Sequence, residues 1–360
     1  MPRSINKCFH EKLTMDLLLS AHQRASKAKR CSKEVLLFEI DLESNLINLY
    51  RKLKNGTYHI GKYRSFIIYE PKKRLIKSLP YVDRLVHQWY IEEFIKPFIL
   101  PRFIRDTYAC LENRGTHLAI LNLQKYMRRM NYQYPDYYIV KFDIQKFFYS
   151  IDRDILYGIL TRCISDKDLL SLTYQLIYDD DEKVGIPIGN YTSQFFANIY
   201  LNELDHYVKE KMKVKYYVRY MDDFIMLARD KEEAKRWLLE VQQFIQTRLH
   251  LTLNHKSRYY PHKMGVDFCG FHIFETHCRL RKSSKVRMKK RVKRWNLLYQ
   301  NHILDMDQAV RCWNSWLAHS NHANSYFLQQ KIYSSILFKE YLPFPQKEEN
   351  NSGSIEGNVI

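Results

Sequence analysis

The sequence predicts an α+β fold, with an antiparallel sheet domain entered by helices and followed by a basic helical region. Three observations carry this. Two stretches, YYIVKFDI at 137–144 and VKYYVRYMDDFIMLARD at 214–230, are short, β-branched and aromatic, and the second is broken by a tight turn. The stretches between them place apolar residues three and four apart, as helices packing on a sheet do. Basic charge gathers late, with ten Lys or Arg and no acidic residue among the sixteen positions from Arg279 to Arg294.

Taken in order, residues 11–29 and 34–54 read as two helices, the second ending on a C-cap at Lys54-Asn55-Gly56. Residues 59–80 read as a basic β-hairpin turning at Glu70-Pro71-Lys72-Lys73, a natural phosphate clamp. Helices follow at 82–98 and 117–131, then the strand at 137–144, helices near 153–163 and 167–178, a loop at 185–190 and a helix from about 193 to 209. Met221-Asp222-Asp223 is expected to turn the second β unit. Ala234, Trp237, Leu238, Val241 and Ile245 then define an amphipathic helix. Met288, Val292, Trp295 and Tyr299 give the basic segment one apolar stripe, and about three helices fill 284–340. The polar tail from Pro345 reads as disordered.

Composition narrows the function. With 360 residues, 46% apolar content and only 10 Gly and 10 Pro, the chain is neither collagenous nor wholly disordered. Its 58 Lys and Arg against 39 Asp and Glu leave a net charge of +19, which favours a polyanionic partner held through counterion release. Aromatic content of 14% interleaved with that charge suits single strands and exposed bases. Seven scattered cysteines without a C-x-x-C pair suggest reduced thiols and a cytoplasmic location. The His272, His277 and Cys278 cluster lacks the second ligand pair a zinc site needs. No stretch is long and apolar enough to span a membrane, and the N-terminal apolar run is short for a secretory leader.

Two acidic sites stand on strands where structure alone does not require them: Asp143 at the end of one, and Asp222 and Asp223 between two others. An isolated Asp-Asp pair has an ordinary explanation in turn chemistry. Three carboxylates brought together by two strands have another, a two-metal site in which Mg²⁺ ions activate one oxygen and neutralise a leaving one.

Phe142-Asp143-Ile144-Gln145-Lys146-Phe147-Phe148-Tyr149-Ser150-Ile151-Asp152, then Gly185-Ile186-Pro187-Ile188-Gly189-Asn190 running into Thr192-Ser193-Gln194, then Tyr220-Met221-Asp222-Asp223, resemble in order the palm motifs of reverse transcriptases. The resemblance extends to Arg74 and Leu79–Arg84 upstream, and to Leu253–Lys256 and Phe268–Phe271 downstream, covering roughly 60–335. Retroviral and intron-encoded members usually have Gln-Gly and Ser-Pro where this chain has Ile188-Gly189 and Ser193-Gln194. That departure resembles the diversity-generating retroelement branch, as does Ala318–Tyr326 more softly.

The resemblance implies a right-hand polymerase: lead-in helices over 1–56, fingers and an antiparallel-sheet palm with a YxDD hairpin over 57–280, a helical basic thumb over 281–342 and a disordered tail over 343–360. It implies that Asp143 and Asp222 ligate two Mg²⁺ ions, with Asp223 completing the site and the Ile144 backbone carbonyl adding an oxygen. Arg74, with either Lys72 or Lys73, would meet the triphosphate. Phe148 would police the sugar 2′-position, Ile188 and Gly189 would line the nucleotide pocket, and Gln194 would lie near the template or incoming base. An apolar Ile188 in place of an amide implies lower fidelity. Lys256 would protonate pyrophosphate. Lys282, Lys285, Arg287, Lys289, Lys290, Arg291, Lys293 and Arg294 would track phosphates of the template RNA and cDNA/RNA heteroduplex.

The implied reaction copies a template-repeat RNA into adenine-mutagenised cDNA from dNTPs, aided by a small basic accessory variability protein. A defence-associated, CRISPR-associated or group II intron-derived reverse transcriptase would share the palm. A non-catalytic RNA-binding scaffold is the other reading, against which the three intact carboxylates argue, since such groups repel and are costly to keep together.

Overall fold

A computed structural model of the chain describes residues 4–69, 73–178 and 182–346. Four helices lead in: α1 (Phe9–Lys12), α2 (Met15–Ser26), α3 (Lys33–Ile40) and α4 (Leu42–Lys54). The hairpin β1 (Arg64–Ile68) and β2 (Arg74–Ser78) follows, then α5 (Tyr81–Tyr90), a π-helical turn (Ile91–Ile95), α6 (Lys96–Phe98) and α7 (Thr116–Gln133). Next come β3 (Tyr138–Asp143), α8 (Phe147–Ser150), α9 (Arg153–Thr161), α10 (Lys167–Ile177) and α11 (Tyr191–His206). A second hairpin, β4 (Tyr217–Tyr220) and β5 (Asp223–Ala228), precedes α12 (Lys231–Leu249) and β6 (Arg258–Pro261). The last elements are β7 (Val266–Phe268), β8 (Phe271–Ile273), β9 (Cys278–Leu280), α13 (Lys282–Gln300), α14 (Met306–Asn321) and α15 (Tyr326–Tyr333).

The α+β class is as expected, and the strands order as β1-β2, as β4-β5-β3-β6 and as β7-β8-β9. Several details depart from the sequence reading. The helix expected over 11–29 is interrupted before Thr14, whose side chain caps α2 by accepting from the Leu17 N–H at 3.3 Å. The helix expected over 34–54 is likewise two, because Asp41 leaves helical geometry at φ −130°, ψ 55°. Asp competes poorly for a helix interior, and here Asn45 Nδ2 instead donates to the Phe38 carbonyl. Asp223 is not a turn residue: it opens β5 opposite Tyr220, leaving a two-residue loop of Met221 and Asp222. The β7-β8-β9 meander had no sequence signal, since three-residue strands are too short to display a period. Its first turn, Cys269-Gly270, has positive φ at both positions, the geometry of a tight hairpin loop. The expected hairpin turn at Glu70-Pro71-Lys72 and most of the expected disordered tail lie outside the described residues.

The chain divides into two compact units. The first comprises the described residues within Met1–Gly115, Val140–Met226 and Glu232–Tyr259. Its centre is α11, buried on most of its faces, with Phe195, Phe196, Ile199, Tyr200, Leu201 and Leu204 buried beside the polar Asn198 and Asp205. A helix of that kind belongs in a core rather than on a surface. The second comprises those within Thr116–Ile139, Leu227–Lys231 and Tyr260–Ile360. There α13 buries Met288, Val292 and Trp295 of the predicted stripe, and its fourth member, Tyr299, is half-buried. Asn324 fastens the start of α15 to β9: its N–H donates to the Cys278 carbonyl at 2.8 Å, and its Oδ1 accepts from the Cys278 N–H at 3.0 Å. Among the described residues no helix is long and apolar enough to cross a membrane.

Candidate active site

Strand alternation builds the acidic site. Along β3, Phe142 and Val140 are fully buried, and Phe142 stacks on Phe224 of β5 at 4.6 Å and 10°. Neighbouring residues on a strand point to opposite faces, so Lys141 and Asp143 share the other face of β3 and Asp223 emerges beside them from β5. Lys141 Nζ donates to Asp223 Oδ2 at 3.3 Å and lies 3.3 Å from Oδ1 as an ion pair. Asp223 Oδ1 is buried and receives no hydrogen bond. The backbone of Asp143 is locked to the loop after α12: its carbonyl accepts from the Asn254 N–H at 2.7 Å and its N–H donates to Ser257 Oγ at 3.0 Å.

The electrostatics couple the three carboxylates. Burial raises the Asp223 pKa to about 6; the Lys141 ammonium opposes this, while the charges of Asp143 and Asp222 push the same way as burial. A buried oxygen without a hydrogen bond, beside two further carboxylates, is a donor set that a divalent cation satisfies. Among the described residues no three acidic, His or Cys side chains are already closed into a metal cage. Asp143, at the end of β3, and Asp222 and Asp223, at the β4–β5 turn, are the carboxylates that the resemblance implies as metal ligands. Ile144 is buried and forms an isolated antiparallel bridge with Leu253.

The expected nucleotide-pocket residues are joined by backbone hydrogen bonds. The Ile186 N–H donates to the Phe148 carbonyl at 2.8 Å, and the Lys77 N–H of β2 donates to the Ile188 carbonyl at 3.0 Å. Gly189 sits at φ +129°, and a Cβ there would fall 2.7 Å from the Lys77 carbonyl oxygen, so the loop closes on the hairpin only with glycine. The buried Arg153 steadies the same loop by donating from Nε to the Gly185 carbonyl at 2.6 Å. This brings Phe148, Ile188 and Gly189 together with the strand that begins at Arg74. Phe148 is half-buried; Arg74 and Lys73 are exposed, and Gln194 is exposed on the first turn of α11. Lys72 lies outside the described residues. Lys256 is exposed in the Asn254–Ser257 segment pinned to Asp143, its N–H donating to Asn254 Oδ1. In the second unit, Lys282, Arg287, Lys289, Lys290, Arg291, Lys293 and Arg294 are exposed on α13 and Lys285 is half-buried.

Sequence reasoning missed two groups. Lys141 was readable, because a cation two residues before Asp143 must share its face. Arg219 was half readable, as a charge inside an apolar strand, but its partners on α11 were not. Arg219 is fully buried and donates from Nε and Nη2 to the two oxygens of Asp205 at 2.7 and 2.6 Å. Burial works against its charge and the Asp205 carboxylate outweighs it, holding its pKa above the ordinary arginine range.

With the geometry established, comparison with known proteins places the chain. The model of the family "Reverse transcriptase (RNA-dependent DNA polymerase)" matches residues 60–273. The chain belongs to the reverse transcriptase family, and its mix of helices and antiparallel sheets is the right-hand polymerase fold that the sequence predicted. It is 21% identical to the group II intron-encoded protein LtrA of Lactococcus lactis subsp. cremoris over 79% of this chain and 58% of the relative. It is 24% identical to the putative COX1/OXI3 intron 2 protein of Saccharomyces cerevisiae over 59% of this chain and 31% of the relative. Apo telomerase from Candida tropicalis is similar in structure at a TM-score of 0.48 and 12% identity, over 64% of this chain and 49% of that one. The chain thus spans little more than half the length of the first of these curated relatives.

Proposed function

We propose that this protein is an RNA-directed DNA polymerase of the diversity-generating type, which copies a template-repeat RNA into cDNA with errors concentrated at template adenines. The observation that carries the polymerase reading is the placement of Asp143 at the end of β3 with Asp222 and Asp223 at the β4–β5 turn, where burial and the charges of Asp143 and Asp222 raise the Asp223 pKa, in a chain of net charge +19. The branch reading rests on Ile188-Gly189 and Ser193-Gln194.

Chemistry begins when the primer 3′-oxygen attacks the α-phosphorus of a bound dNTP. The bond to pyrophosphate breaks, the 3′-hydroxyl proton leaves and the leaving group gains a proton. Asp143, Asp222 and Asp223 would hold two Mg²⁺ ions, which would supply charge compensation for the phosphates and acidify the 3′-hydroxyl. Asp223 enters that role already ion-paired with Lys141, so the metal-free site does not carry three unanswered negative charges. Arg74, with Lys72 or Lys73, binds the triphosphate by charge-assisted hydrogen bonds. The Phe148 ring excludes a ribose 2′-hydroxyl by contact. Ile188 and Gly189 form an apolar floor that offers the base pair fewer polar contacts. Lys256, on the loop pinned to Asp143, is the proton donor to pyrophosphate. The exposed cations of α13 bind template RNA and heteroduplex through phosphates, which positions without reading sequence. A small basic accessory protein and a cytoplasmic location complete the reading.

A second reading, an intron-type enzyme, is favoured by the similarity to a group II intron-encoded protein. Sequencing cDNA made on a primed RNA template decides between them. Errors concentrated opposite adenine, and reduced at least threefold by Ile188→Gln, are expected of the diversity-generating type. Uniformly low error that Ile188→Gln leaves unchanged sinks it in favour of the intron type.

A further inference from the structure

We infer that Arg219 is a positioning residue for the metal-binding turn, an inference that rests on the polymerase reading above. The β4–β5 loop is only Met221 and Asp222, and Met221 is held in the left-handed region at φ +54°. For a residue with a Cβ that conformation is unfavourable and persists only when its surroundings impose it. The two-residue hairpin requires it, and the guanidinium of Arg219 braces it: its Nη1 donates to the Met221 carbonyl oxygen at 3.2 Å, inside that loop, and also to Asn198 Oδ1 at 2.9 Å.

The guanidinium is itself immobile. Asp205 accepts its fork through both oxygens, and the same carboxylate is fixed by the hydroxyls of Tyr217 and Thr107, each at 2.7 Å. The backbone of Arg219 is pinned too, donating to the Asp106 carbonyl and accepting from the Tyr108 N–H. Planar and five-donored, Arg can grip a carboxylate with two nitrogens and still offer a third to a carbonyl; Lys cannot. A rigid rod therefore runs from α11 to the peptide that precedes Asp222, and its purpose is to aim the Asp222 carboxylate.

The test compares wild type, Arg219→Lys, Asn198→Ala and the double variant Arg219→Lys/Met221→Gly, in the full chain. Each is measured for thermal unfolding, for Mn²⁺ binding by titration in the absence of substrate, for primer–template binding and for single-nucleotide incorporation. Arg219→Lys is expected to keep primer–template affinity within about twofold, to weaken Mn²⁺ binding at least fivefold and to lower kcat at least thirtyfold. Asn198→Ala should shift the same two quantities by about threefold. Glycine adopts the left-handed turn without strain, so the double variant should recover at least fivefold of the lost kcat without raising the unfolding temperature to that of wild type. That rescue is the outcome a merely structural salt bridge does not produce. A folded Arg219→Lys whose Mn²⁺ binding and kcat stay within twofold of wild type overturns the inference. If Arg219→Lys does not fold, Asn198→Ala carries the test, and unchanged Mn²⁺ binding in that variant overturns it. A wild type that binds Mn²⁺ but makes no cDNA counts against the polymerase reading alone, because the Mn²⁺ comparison still judges Arg219.

Discussion

The protein contains two antiparallel hairpins in its first unit that share a geometry and differ in everything else. In β1–β2 no residue is fully buried; Phe66 is 51% exposed and the cations Arg64 and Arg74 face solvent. In β4–β5 all but the residues nearest the loop are buried, and the one strand cation, Arg219, has no exposed surface. Exposed charge on the first hairpin costs little and can be offered to a ligand. Buried charge on the second must be answered, and it is answered by Asp205, Asn198 and the loop carbonyl. The difference teaches where ligand chemistry and where fold are encoded: a substitution in the first hairpin should alter binding alone, and one in the second should alter stability and catalysis together.

That contrast can be broken at its most sensitive point first. Asp205→Ala leaves a buried guanidinium without its counter-charge, and removal of one partner from such a pair costs about 3–5 kcal/mol. Urea unfolding should show a loss of this size; a loss below about 1 kcal/mol would mean that the buried hairpin is no more demanding than the exposed one.

The acidic end of the second hairpin gives the next effect. Asp223 holds its proton up to about pH 6, against 3.8 for the free side chain. Between those pH values the folded state binds more protons than the unfolded state, so metal-free stability falls as pH rises through the window, by at most about 3 kcal/mol. In Asp223→Asn this loss should be absent, so the unfolding temperature of the variant relative to wild type should climb from pH 4 to pH 7. A difference that stays flat with pH would remove the raised Asp223 pKa, which burial chiefly causes.

Smallest in stability is the effect expected in the exposed hairpin. Arg74→Ala should move the unfolding free energy by no more than about 0.5 kcal/mol. The same variant should raise the KM for dNTP about tenfold, equivalent to about 1.4 kcal/mol, with little change in kcat. Unchanged KM would detach this hairpin from the triphosphate and leave its basic surface unexplained.

The sequence made much of the molecule legible, for physical reasons. The strands at 137–144 and 214–230 were visible because their buried positions demand apolar, aromatic and β-branched residues, on both faces in the second, and α13 because three buried positions recur at helical spacing amid cations. Asp143, Asp222 and Asp223 were visible because carboxylates are out of place beside such strands. What stayed hidden depends on long-range contacts. Nothing local pairs Arg219 with Asp205, fourteen residues earlier on α11, or shows that Gly189 meets the Lys77 carbonyl across the fold. The strand position of Asp223 was missed by one residue, and the break at Asp41 was not foreseen at all, because local hydrogen bonding decides both.

The central claim is that three carboxylates at the ends of β3 and the β4–β5 hairpin carry out metal-dependent nucleotidyl transfer. Its most direct measurement is Mg²⁺-dependent incorporation of dNTPs on a primed RNA template by wild type beside Asp222→Asn, with folding of both confirmed by thermal unfolding and with cognate template RNA and accessory protein supplied. Synthesis by wild type that falls at least a hundredfold in a folded Asp222→Asn is the predicted result. Synthesis that persists in Asp222→Asn, or a wild type that binds primer–template yet never extends it, would contradict the account.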